Sequence, residues 1–295
     1  KAPNGIEIYP TAIIIDSIAE PLPIAEDSNL EQKLDYRWID LREPKNLLIF
    51  KTQTALVEGM RQFLLKEKFL EIHTPKITLG ATESGASVFP VKYFDETAYL
   101  IQSPQFYKQM AMCAGLDRYF EVAPCFRAEK SFSPKHATEF TGFDVEMTGV
   151  ESHEDLMKLE EKMIVSGFEK VKQQYGEEIK KIYGIEIEIP KLPFPRISME
   201  EIYEILQDKD IDILEGEDLD TESEKVISEY MKRKTGSEFF FITDFPTELR
   251  CFYTMKNPKD KKKCLAFDLY YKGMEITSGA RREHRYEELK QAIVE

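Results

Sequence analysis

Two stretches of alternating residues, Arg118–Glu129 and Thr138–Met147, joined by the short loop Lys130–Ala137, constrain the fold of this chain more than any other feature. In the first, Phe120, Val122, Phe126 and Ala128 fall on one face and Glu121, Arg127 and Glu129 on the other. In the second, Thr141, Phe143, Val145 and Met147 are opposed by Phe140, Asp144 and Glu146. A period of two is the period of a strand, and so short a connection implies an antiparallel hairpin. One face is apolar and turns to a core. The other carries charge.

The rest of the chain supplies elements to cover that apolar face. From Asn46 to Lys66, Phe50, Val57, Met60 and Leu64 recur at helical spacing. Phe69–Ile72 reads as a strand that Pro75 ends or confines to an edge. Tyr99-Leu100-Ile101 reads as a buried strand, followed by Ser103-Pro104 as the N-cap and first-turn pair of a helix reaching Ala114. Ser152-x-x-Asp155 opens a long amphipathic helix, and Ser198-x-x-Glu201 and Thr221-x-x-Glu224 open two more. Phe239–Ile242 and Leu265–Tyr271 are strands, and Gly273 turns the latter into Met274–Ser278. Local hairpins with segregated helices predict an α+β fold, an antiparallel β-sheet of six or more strands flanked by helices. Residues 1–30, rich in Pro and short apolar pieces, read as the exit from a preceding domain plus a linker, and 31–295 as the main domain. The opening Lys1-Ala2-Pro3, without Met or an apolar leader, reads as the start of a fragment.

Composition narrows the function classes. No apolar run is long enough to span a bilayer. Cys113, Cys125, Cys251 and Cys264 form no CxxC pair, which points to reduced thiols of a cytoplasmic protein rather than zinc ligands or disulfides. A net charge of −14 opposes phosphate binding except through local patches. Lys130–His136 and Lys256–Lys263 are locally basic, and on composition alone the second is a solvated loop.

Arg127, Glu129, the basic loop, His136 and Glu139 form the densest polar constellation. Charges on a strand face must pair with one another or bind something. A salt-bridged sheet face and a ligand site are equally good readings of these residues. Asp268 and Glu275 flank the Gly273 turn and can reach one point between neighbouring strands. By themselves they read as a surface hairpin of paired charges before they read as a metal site.

Phe126-Arg127-Ala128-Glu129, the loop, and Glu139-Phe140-Thr141-Gly142-Phe143-Asp144-Val145-Glu146 resemble motif 2 of class II aminoacyl-tRNA synthetases in its aspartyl version. Phe69–Lys76 is similar to motif 1, and Leu34–Arg42 to the family's entry segment LDxRxLDLR. The resemblance runs over essentially the whole chain, with the motifs in the expected order. About 130 residues between Glu146 and Glu275 leave no room for the bacterial insertion, so the archaeal/eukaryotic form is implied. Motif 3 is not found in the chain, and residues 1–30 correspond to the tail of the N-terminal OB-fold domain.

The resemblance implies the chemistry and the roles. Substrates are ATP with Mg2+, L-aspartate and tRNA(Asp), and the protein is a homodimer through motif 1 around Pro75. Attack of a carboxylate on the α-phosphorus of ATP requires positioning and charge neutralisation. Arg127 bridges the α-phosphate and the amino-acid carboxylate. Glu129, Lys135, His136, Ala137 and Glu275 contact ATP, and Phe140 stacks on adenine; the family usually has Arg at the position of Lys135. Asp268 and Glu275 hold Mg2+ through hard oxygens. Gln102-Ser103-Pro104-Gln105-Phe106-Tyr107-Lys108 resembles the aspartyl QSPQ-x-x-K segment, and Ser278-Gly279-Ala280-Arg281-Arg282 the family's SGxxR. Lys108 and Arg282, rather than Arg281, clamp the side-chain carboxylate. Ser103, Gln105 and Ser278 complete the aspartate site, and Glu83 meets its ammonium from the loop 81–86, where Ser84-Gly85 replaces the usual Gly-Gly. Asparaginyl relatives carry an apolar residue at the position of Lys108, and lysyl relatives need an acid near Gln105. The rival functions are an aspartate–ammonia ligase on the same core and a catalytically inactive scaffold paralogue.

Overall fold

A computed structural model of the protein describes residues 5–82, 87–129, 137–211, 213–214 and 216–294, and the chain forms two units, Lys1–Thr52 and Gln53–Glu295. In the first, α1 (Leu30–Asp35) begins at Asn29, whose side chain accepts from the Gln32 N–H. After Tyr36 comes α2 (Arg37–Asp40). The buried Asp40 carboxylate accepts from Arg37 and from the Asn46 amide, so Arg and Asp of this segment are local partners. α3 (Pro44–Lys66) starts here, with Pro in the first turn, where its missing N–H costs nothing.

Within the second unit, β1 (Leu70–Glu71) lies parallel to β5 (Arg118–Phe126), and β5 pairs antiparallel with β6 (Glu139–Met147) in the register Arg118↔Met147 to Phe126↔Glu139. This is the expected hairpin. Between β1 and β5 the chain makes a small sheet of β2 (Ile77–Thr78), β4 (Glu96–Leu100) and β3 (Pro90–Tyr93), then α4 (Gln105–Cys113). α5 (His153–Tyr183) opens with the Ser152/Asp155 capping box and stops at Gly184, where φ of +69° favours a residue without Cβ. β7 (Arg196–Ser198) and α6 (Met199–Gln207) follow, the latter with the Ser198/Glu201 box. α7 (Thr221–Thr235), β8 (Phe239–Thr243), β9 (Ala266–Tyr271), β10 (Met274–Ala280) and α8 (Tyr286–Val294) complete the order. A four-stranded sheet runs β10-β9-β8-β7.

The structure corrects four local expectations. α7 is capped by Asp220, which accepts from Ser223 N–H at 2.8 Å, and not by Thr221; a carboxylate one residue earlier is the better N-cap. α4 begins at Gln105, so Ser103 lies one residue outside the cap, although its hydroxyl still accepts from Gln105 N–H at 3.4 Å. In α3, Met60 and Leu64 are buried but Phe50 is exposed, and Leu56 packs on the core instead. The reason is Gly59. A Cβ there would lie 2.6 Å from the Ser166 carbonyl, so α3 meets α5 backbone to backbone at Gly59 and Gly167, and that contact sets the buried face. Finally, among the described residues the strands form three sheets, of three, four and three strands, rather than one of six or more. β6 and β10 are both edges, with a cavity of about 610 Å³ between them.

One core underlies both larger sheets. Met60 and Leu64 of α3, Met157 and Met163 of α5, Phe120 of β5, Phe239 and Phe241 of β8, and Phe267 and Leu269 of β9 pack together, with Phe143, Val145 and Met147 of β6 against them. A second cluster covers the opposite face of β8 and β9 with α6 and α7, which explains why the run Phe239–Thr243 is apolar without alternation.

Candidate active site

The shared core decides which side chains face outward. Odd-numbered Phe143, Val145 and Met147 turn to the helices, so Phe140, Gly142, Asp144 and Glu146 lie on the opposite face of β6. By the same alternation and the β9–β10 register, Asp268, Glu275 and Ser278 share that opposite face, since Ser278 pairs with Asp268 and Glu275 with Tyr270. The sequence-predicted residues of motif 2 and of the C-terminal hairpin therefore share one face of their sheets.

Lys108 projects from α4 onto β6. Its Nζ lies 3.0 Å from Asp144 and 3.3 Å from Glu146, and the side chain is buried. Burial works against the charge, but Asp144 and Glu146 outweigh it, and the Lys108 pKa is raised. One of its three N–H donors is committed to Asp144, and Glu146 adds an ion pair. Arg282 arrives from the end of β10 and donates to Gln105 Oε1 at 2.9 Å. Gln105 is buried and its Nε2 has no hydrogen-bond partner among the described residues, a donor available to a ligand. Arg281 donates to the Glu151 carbonyl instead. Lys108, Ser278 and Arg282 line the cavity between β6 and β10. Gln102 binds the stem of the 83–86 segment: Thr82 N–H donates to its Oε1 at 2.9 Å, and its own N–H donates to Thr82 Oγ1 at 3.1 Å.

Arg127 follows β5 directly. Its N–H donates to the Thr138 carbonyl at 3.0 Å, closing the hairpin, and its guanidinium lies 5.4 Å from the centroid of Phe140. Arg127 and Lys108 therefore sit along one face of β6, over Phe140 and over Asp144, roughly 13 Å of strand apart. Gly142 lies between them and contributes no side chain, so the floor there is bare backbone. Glu129 and Ser103 are partly buried, and Ala137 is exposed. Glu83, Lys135 and His136 lie outside the described residues.

The Asp268–Glu275 pair is more constrained than its spacing suggested. Asp268 is buried, one oxygen 2.5 Å from Arg250 and the other, Oδ1, without a partner among the described residues. Burial pushes its pKa up, and Arg250 opposes this. Glu275 is exposed on the neighbouring strand, on the same face. A buried carboxylate oxygen without a partner among the described residues is a hard donor of the kind a divalent cation takes. Among the described residues no third Asp, Glu, His or Cys joins them, so the other ligands would come from a substrate and water.

Sequence reasoning missed several participants. Asp144 and Glu146 were legible as a charged face but not as the partners of Lys108. Arg250 gave no signal, being 18 positions from Asp268. Glu121 was placed on the charged face, yet it is buried and satisfied: Thr74 N–H and Oγ1, Lys76 Nζ and Tyr119 OH all donate to it. Burial raises its pKa, but these donors together hold it below the ordinary value. Glu160 of α5 accepts from Thr277 beneath β10.

The chain has clear relatives. The family described as tRNA synthetases class II (D, K and N) matches residues 29–295. The aspartate–tRNA(Asp) ligase of Pyrococcus furiosus is 43% identical over 300 residues, covering 100% of this chain and 68% of that protein. The aspartate–tRNA(Asp/Asn) ligase of Methanocaldococcus jannaschii is 43% identical over 298 residues, covering 99% and 66%. Among solved structures, the asparaginyl-tRNA synthetase of Pyrococcus horikoshii complexed with asparaginyl-adenylate superposes with a TM-score of 0.86 at 33% identity, over 95% of this chain and 64% of that one. The aspartyl-tRNA synthetase of Entamoeba histolytica gives 0.78 at 34%, over 94% and 53%. The chain spans about two-thirds of the length of the curated relatives it matches.

Proposed function

The chain belongs to the class II tRNA synthetases of the aspartate, lysine and asparagine group and, within it, to the aspartate–tRNA ligases, and on that premise we propose that it activates L-aspartate with ATP and transfers the aspartyl group to the 3′ end of tRNA(Asp). The observation that carries this reading is that Lys108 and Arg282 line one cavity, with Arg282 held by Gln105, whose amide Nε2 has no hydrogen-bond partner among the described residues. A carboxylate side chain entering a buried site needs fixed cations. Asp144 and Glu146 keep Lys108 protonated, and an uncommitted N–H of its ammonium, with the remaining edge of the Arg282 fork, meets the aspartate side chain. Asparagine gains nothing from a buried ammonium, which sets the specificity against it.

Arg127, held over Phe140, takes the α-carboxylate and the α-phosphate on the bare floor at Gly142. The attacking group is a substrate oxygen, so the protein supplies alignment and charge and no nucleophile. Asp268 and Glu275 would hold Mg2+, which supplies charge neutralisation on the phosphates. Transfer to the ribose hydroxyl of tRNA follows from the adenylate in the same site. Glu83, Lys135, His136 and Ala137 belong to the same site in this reading, as ammonium and ATP contacts.

The protein acts as a homodimer through the segment around Pro75. Glu121 fixes Thr74 and Lys76 on either side of that proline, and Leu70, Ile77 and Leu79 around it are exposed. Residues 1–30 serve as the link to an anticodon-reading domain, and the compartment is the cytoplasm. No helix among the described residues is long and apolar enough to cross a membrane.

ATP–pyrophosphate exchange on the full-length protein with aspartate, asparagine and lysine compared tests the reading. Exchange is expected with aspartate and near background with the other two. Charging of tRNA separates a tRNA ligase from an aspartate–ammonia ligase, which would release asparagine instead.

A further inference from the structure

Arg282 does not stand alone. Its guanidinium carbon lies 5.1 Å from the centroid of Tyr253, within reach of a cation–π contact. Tyr253 is buried and is itself held edge-on by two aromatic neighbours: Phe106 of α4, at 6.4 Å and 73°, and Phe252, at 5.0 Å and 76°. The backbone is fixed as well, since Thr254 pairs with Arg282 in an antiparallel bridge and Met255 N–H donates to the Arg281 carbonyl at 2.9 Å. Phe106 is the residue after Gln105, the hydrogen-bond partner of Arg282. Two segments distant in sequence, 105–106 and 252–254, therefore grip one guanidinium: by its edge through Gln105 and by its face through Tyr253.

We propose that Tyr253 is a positioning residue for substrate selection, a rigid aromatic platform that holds the Arg282 fork in the plane from which it grips a carboxylate side chain. This rests on the reading of Arg282 as a side-chain clamp. An arginine has a long flexible stem, and its bidentate selectivity depends on a fixed plane. A planar ring clamped on its edges supplies that plane without competing for the N–H donors, whereas a carboxylate partner would consume them. The hydroxyl is not needed for this task, and the ring is.

The test uses the full-length protein and steady-state exchange kinetics for aspartate and for ATP, with melting temperature as a fold control. Tyr253→Phe keeps the platform and should leave the aspartate KM within about twofold. Tyr253→Leu and Tyr253→Met fill similar space without a π face, and each should raise the aspartate KM roughly tenfold while leaving the ATP KM unchanged. In an Arg282→Ala background, Tyr253→Met should add no further loss. Equal rises in both KM values, an unchanged aspartate KM in the Leu and Met variants, or full additivity with Arg282→Ala would each overturn the proposal. Should Arg282→Ala itself leave the aspartate KM unaltered, the clamp reading falls and the platform falls with it, an outcome distinct from failure of Tyr253 alone.

Discussion

Gly279 lies beneath the ring of Phe267. A Cβ at position 279 would stand 2.3 Å from Cζ of that ring and 2.9 Å from both Cε atoms. The glycine of the Ser278-Gly279 pair thus answers to packing: Phe267 belongs to the core under both sheets, and its ring also borders the cavity. Gly279→Ala should force β10 away from β9, at a cost of about 1–3 kcal/mol, and carry Ser278 and Arg282 with it. Urea denaturation reads the first effect and the aspartate KM the second. An alanine variant with parental stability would show that the ring yields.

The pair Lys108–Asp144 makes charge removal at this site a double injury. Lys108→Met takes away the cation meant for substrate and leaves Asp144 and Glu146 facing each other. Aspartate-dependent exchange should fall at least a hundredfold, and the melting temperature should drop too. Adding Asp144→Asn should restore part of the melting temperature and none of the exchange. Recovery of activity in the double variant would move the aspartate clamp away from Lys108.

Asp268 has one cationic partner among the described residues, Arg250, whose guanidinium also rests 3.7 Å from the centroid of Phe245. Arg250→Met should strand a buried carboxylate and lower stability by about 3–5 kcal/mol. Arg250→Met combined with Asp268→Asn should recover much of that loss, as coupled partners do. Strictly additive losses in a chemical-denaturation cycle would mean that Arg250 stabilises the fold by another route.

Alternation at 118–129 and 138–147 was enough to give the hairpin and its outward face, because a one-residue slip would have exposed Phe120 and Phe143, while the parallel β1 beside it gave no such signal. The capping boxes at Ser152 and Ser198 were equally legible, since each is a local exchange of hydrogen bonds. What the sequence hid was non-local. Phe50 looked like a core residue until Gly59 and Gly167 set the helix crossing, and glycine carries no apolar signal. The β6–β10 separation also has no local mark: each edge reads as an ordinary strand, and only the absence of pairing among the described residues reveals the cavity. At the site, Lys108, Ser278 and Arg282 were legible by their motifs and border one cavity, while the keepers Arg250 and Tyr253 come from a stretch with no periodicity.

Glu160 gives the stability of the second unit a pH dependence opposite to that of most paired carboxylates. Burial drives its pKa up from 4.5 to about 7, with Asp268 and Glu161 adding to the effect and the Thr277 hydroxyl opposing it. Between those values the unfolded chain is ionised at this position while the folded protein keeps its proton. The folded state therefore loses stability as pH rises through this window, and above about pH 7 the full cost, about 3 kcal/mol, is present. Glu160→Gln cannot ionise and keeps a group able to accept from Thr277. Melting temperatures of the parent and the variant, measured from about pH 5 to about pH 8, should diverge, with the glutamine protein gaining steadily on the parent. A constant difference across that range would place the Glu160 pKa near its ordinary value and remove the penalty.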